Sequence, residues 1–192
     1  PFSAPAAIAF VLSMANFIFV YKKFPETLPA EKRGKGKVYR TINPIKLFKV
    51  ENYPGVSSVI FTNFIFLVAF GAAENMLTFL TLERLGYGPA KNGLLFVFIG
   101  FVLSMVQGGY VRRKAASVGE GVVTKKGFII LIPGLALVAR AGVWQRAFVL
   151  YLGLFFMAVG SAMIIPCLTA LVSLYTPAEE QGRILGIFRS AG

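Results

Sequence analysis

From Val56 to Leu82 the chain runs for 27 residues with one ionisable side chain, Glu74, in an otherwise apolar stretch. About 20 residues at 1.5 Å each cross the hydrocarbon of a bilayer, so this run is long enough to span one with some tilt. A carboxylate well inside such a span is costly. It points to the handling of a proton, an ion or a substrate rather than to stability. The chain is read on this ground as a membrane protein that moves something.

The rest of the sequence repeats the pattern. Hydrophobic residues make up 56% of the chain and charged residues only 15%, against roughly 25% charged in soluble domains. The net charge of +12 resides in short Lys/Arg blocks between apolar segments and not on one folded basic face. Lipid headgroups are therefore the expected partner of those blocks, and nucleic acid is not. The chain has no histidine and one cysteine, Cys167, which excludes the familiar zinc spacings, His-based triads and an intrachain disulfide. No cofactor or metal is expected, and no nucleophile and base pair or phosphate loop suggests an enzyme.

Six apolar segments are expected. The first, Ala6 to Tyr21, closes residues 1–21. Residues 22–55 form a polar linker with nine Lys or Arg between Lys22 and Val50, in which Ile42 to Val50 has the pattern of a short interfacial helix. Residues 56–192 hold the remaining segments: Val56–Leu82, Gly93–Val111, Gly127–Trp144, Ala147–Tyr175, and one beginning near Gln181. Arg112–Lys126 is read as a basic loop, and Pro133 and Pro166 as bends within their spans. The start at Pro1 rather than Met suggests a piece of a longer protein.

On a helical wheel Asn63, Glu74 and Thr81 fall within about 20° of one another, and Thr78 within about 60°. This stripe either lines a cavity, with Glu74 as its titratable member, or is a set of polar groups satisfied by neighbouring helices. Arg189, about two turns into the last segment, either faces a cavity and pairs with a carboxylate or sulfonate, or snorkels to the surface. Arg140 is read as snorkelling. Small residues at four-residue spacing, Gly100, Ser104 and Gly108, and again Gly182, Gly186 and Ser190, mark faces where helix backbones can approach closely.

Several stretches resemble a known family. FPETLP (Phe24–Pro29), then a basic linker with INPIKLF (Ile42–Phe48), is similar to the centre of the major facilitator superfamily, at its sixth and seventh helices. Ile164 to Gly192 resembles the tenth-to-eleventh helix region of its drug:proton antiporter branch. AAENMLTFLTLERL (Ala72–Leu85) and QGGYVRR (Gln107–Arg113) are similar to an animal, tetracycline-transporter-like group of organic-anion carriers within it. The resemblance implies an all-α, partial major-facilitator fold, from about helix six to the start of helix eleven of twelve. It also implies a multi-pass protein of the plasma membrane or an internal membrane that carries small organic solutes, organic anions foremost, by alternating access. A proton-coupled exporter of cationic or neutral drugs, and a transporter-shaped scaffold or receptor, are the alternatives. The stretch Gly108–Glu120 departs from the family by lacking the acidic residue of its loop signature.

Alternation of the spans puts 15 Lys/Arg on one side and four on the other, which makes the first side cytoplasmic by the positive-inside rule. Cysteines placed at Lys35 and Ser117 are both expected to resist an impermeant thiol reagent applied to intact cells. Labelling of one and not the other would contradict the segment count.

Overall fold

In the computed structural model, residues 3–25 and 53–191 are described, and among them there are helices and no strands. The expected interfacial segment Ile42–Val50 and most of the basic linker lie outside the described residues. Helix α1, Ser3–Lys23, is one unbroken apolar rod ending in Lys22 and Lys23. The second unit, described by itself, contains α2 (Val56–Leu85), α3 (Pro89–Met105), α4 (Arg112–Val118), α5 (Glu120–Trp144), α6 (Ala147–Leu174) and α7 (Gln181–Ser190). Counting α3 to α4 as one rod, five helices among the described residues are long and apolar enough to cross a membrane: α1, α2, the 30-residue rod Pro89–Val118, α5 and α6.

Glycine and proline set the breaks. Gly86 adopts the left-handed conformation that closes α2, and Tyr87 N–H donates to the Thr81 carbonyl at 3.0 Å, a helix ending that glycine permits without strain. Pro89 then opens α3, where its missing N–H costs nothing. The expected loop Arg112–Lys126 is instead helical on both sides of a corner at Gly119, whose φ of 94° suits a residue without a Cβ. Its basic residues do not prevent this, because Arg and Lys are good helix formers where the apolar span has ended. Between α3 and α4 the rod passes through a π turn, Val106–Val111, around the pair Gly108 and Gly109. Pro133 and Pro166 stay inside unbroken helices.

The core of the second unit is α6, which packs against α2, α3, α5 and α7 and buries Leu150, Leu154, Ile164 and Leu168 completely or nearly so. Its buried Ser161 hydroxyl donates to the Met157 carbonyl at 2.7 Å, so the polar atom is not left unpaired. The closest pairing is with α5. Glycines seven apart on α5, Gly127 and Gly134, meet glycines seven apart on the antiparallel α6, Gly160 and Gly153. A Cβ on Gly134 would lie 2.6 Å from the backbone nitrogen of Met157, and one on Gly160 would lie 2.8 Å from the Gly127 carbonyl oxygen. Backbones this close are reached only where both faces lack side chains. In lipid, where no solvent drives apolar surfaces together, such contact supplies the association.

The small-residue rows singled out from the sequence behave differently. Gly100, Gly108, Gly182 and Gly186 have open space where a Cβ would be, and within the described residues they are not the close contacts. A seven-residue spacing matched across two consecutive helices was the informative signal, and a four-residue period passes over it.

Helix α2 runs parallel to α5 and meets it at equivalent points. The Phe66 and Phe128 rings are 6.2 Å apart edge to face, and 14 residues further along both helices the Leu80 side chain lies 3.2 Å from a Cβ built on Gly142. Fourteen residues are two heptads, the period that keeps one face of a helix on its neighbour. At the far end, Phe98 of α3 packs edge to face on Tyr151 of α6 at 5.4 Å. Gly134→Ala is expected to push against the α6 backbone and to cost about 1–3 kcal/mol, lowering the midpoint of thermal unfolding in detergent. Gly186→Ala, with nothing to meet, should leave that midpoint unchanged or slightly raised.

Candidate functional site

The polar stripe of α2 divides in the structure. Asn63 (7% exposed) and Thr81 (0%) are buried, whereas Glu74 and Thr78 are exposed. Rotation about the helix does not explain this, since Glu74 shares the angular position of the two buried residues. The difference arises along the helix axis. Near its start, α2 lies by the end of α6, where the Tyr175 ring is 3.3 Å from a Cβ built on Gly55. Near its end it meets the first turn of α3. Between these two clamps, from Leu67 to Met76, no residue is fully buried.

At the second clamp the Thr81 hydroxyl donates to the Asn92 side-chain carbonyl oxygen at 2.6 Å, a distance typical of an O–H···O bond, with the Leu77 carbonyl 2.9 Å away. Thr81 thus joins α2 to α3. Its polar atom is used in packing.

Glu74 is about 27 Å along the helix from Val56 and about 16 Å from Leu85, which places it within the span and away from both ends. Among the described residues it makes no hydrogen bond or ion pair, and none joins it to Arg189. Beside it, the Asn75 amide donates to the Gly71 carbonyl at 2.7 Å and is exposed. Glu74, Asn75 and Thr78 therefore make an uncovered polar patch in the middle of a membrane-spanning helix. Gly71, Ala72 and Ala73 next to it are small, and leave room there. Such a patch can accept donors or cations, exchange a proton, or stand in water.

Arg189 is exposed on α7, whose opposite face packs through the buried Ile184 and Phe188. Its place in the last turn follows from that amphipathic pattern. Arg140, at the far end of α5, lies over the Trp144 ring at 5.9 Å, a position typical of a membrane interface. Asn75 and Asn92 were not among the residues expected from the sequence. The signal that finds Asn92 is its place in the first turn after Pro89, facing the end of the preceding helix.

A model of the Major Facilitator Superfamily matches residues 1–192. The human protein named Major facilitator superfamily domain-containing protein 10 is 27% identical over 203 residues, covering 96% of this chain and 44% of that protein. The mouse protein of the same name is 26% identical over 204 residues, with 96% and 44% covered. Among solved structures, the crystal structure of the human organic anion transporter MFSD10 (TETRAN) superposes with a TM-score of 0.85 at 25% identity, over 100% of this chain and 48% of that one. The chain spans less than half the length of these relatives.

Proposed function

The chain belongs to the Major Facilitator Superfamily, a family of membrane transporters, and on that premise we propose that it is part of a secondary carrier of small organic anions working by alternating access. The observation that carries this reading is the uncovered carboxylate at the centre of α2. A charge at that depth needs water, a protein partner or a substrate path, and in carriers built of two halves the site lies near the midplane between them. The similar human structure is that of an organic anion transporter, which supports the choice of anions.

In this reading Glu74, with Thr78 beside it, exchanges a proton as the cycle turns. Arg189 binds the substrate's carboxylate or sulfonate by a bidentate pair. Asn63 and Thr81 belong to the same wall, and Thr81 ties the end of α2 to α3. The α4–α5 corner lies at the cytoplasmic surface. Glu74, which pairs with no other described residue, also suits a cation, so a proton-coupled exporter of cationic or neutral drugs is the second reading. The two differ in what they carry.

Uptake into vesicles containing the full-length protein separates them. Organic anions should be carried and organic cations should not, with a response to an imposed pH gradient. Glu74→Gln keeps the shape and should abolish that response while sparing substrate counterflow. Transport of cations alone would favour the second reading, and no transport of either under any gradient would favour a scaffold. A well-expressed Gln variant still fully driven by the gradient would remove Glu74 from coupling.

A further inference from the structure

A second feature lies away from α2, between the π turn, α5 and α6. It is a groove of about 530 Å³, apolar along its length, with Lys126 at one end and Val106 and Tyr110 beside it. The π turn shapes it. Val111, at the end of that turn, packs with Val123, Met163 and Cys167, which holds the three elements together at the basic end. On α6 the groove follows Met163, Val159 and Phe155, a row covering about 12 Å of helix rise. One leaflet of bilayer hydrocarbon is about 15 Å deep. The groove therefore begins where the basic residues are and extends nearly to mid-membrane. Its side is open: Ile129 is 70% exposed and Phe155 43% exposed.

Positive charge predominates at its mouth. Lys126 lines it, Lys125 adjoins, and Arg112, Arg113 and Lys114 follow directly from the π turn, while the one carboxylate nearby in sequence is Glu120. An apolar channel one leaflet deep, open to the side and ending in a cluster of cations and a phenol, matches one kind of molecule. We infer that this groove binds an anionic phospholipid, with an acyl chain along Ile129, Phe155 and Met163 and the headgroup phosphate at Lys126. The bound lipid fills the gap that the π turn opens between α3 and α5 and ties the α4 corner to the membrane surface. This inference does not depend on what the protein transports.

The test uses the full-length protein in nanodiscs of phosphatidylcholine carrying a trace of phosphatidylserine with a photoreactive group in its acyl chain. Labelled residues should fall at Ile129–Ile130 and between Phe155 and Met163. Unlabelled phosphatidylserine should compete better than phosphatidylcholine. Lys126→Gln should weaken that competition about fivefold, the equivalent of one basic residue at an anionic surface. Lys125→Gln, which removes the same charge from a neighbouring position outside the groove, should have a smaller effect. Equal losses in both variants would mean general surface attraction and overturn the inference. So would equal competition by the two lipids, or an absence of labelling in the groove because another segment or a second copy covers it.

Discussion

The fold of residues 53–191 depends on one contact, the backbone-to-backbone approach of α5 and α6 across Gly127, Gly134, Gly153 and Gly160. In water a helix pair is held by the removal of apolar surface from solvent. In lipid that term is nearly absent, and what remains is the density of van der Waals contact, which rises steeply as backbones approach. The paired glycines allow the closest approach available. Once α5 and α6 are fixed as a unit, α6 offers a surface for α3 and α7, and α5 a parallel track for α2.

That arrangement explains why the carboxylate is uncovered. Helix α2 is pinned at heptad-spaced points, Phe66 on Phe128 and Leu80 at Gly142, and at its end by the Thr81–Asn92 pair. Between the pins its neighbours supply no cover for the side on which Glu74 and Thr78 stand. A strained or flexible helix is not needed to present the charge. The openness is a result of where the contacts are, and it is compatible with a site completed by residues beyond those that this chain shares with its longer relatives.

Much of this was legible in the sequence. Apolar length placed the spans, because the bilayer imposes it, with the helices continuing up to seven residues further at Val118 and Glu120. The helical continuation through Arg112–Lys126 was not legible, since a run of basic residues reads as a loop whether or not its backbone stays helical. The site was legible only in part. Helical periodicity placed Asn63, Glu74 and Thr81 on one stripe, but periodicity carries no information about which stretch of a stripe a neighbour covers. That depends on the register between helices, and here the register was encoded in the seven-residue glycine spacing and in Asn92.

The most direct test of the account is whether water reaches the central face of α2 in the full-length protein. In a cysteine-free background, Thr78→Cys should react with a membrane-impermeant thiol reagent from one side of the membrane and be protected by transported substrate. Leu77→Cys, adjacent but 2% exposed in the core, should not react. Reaction at position 77 and none at 78 would show that the Glu74 face is packed or lipid-facing, and would contradict the central claim.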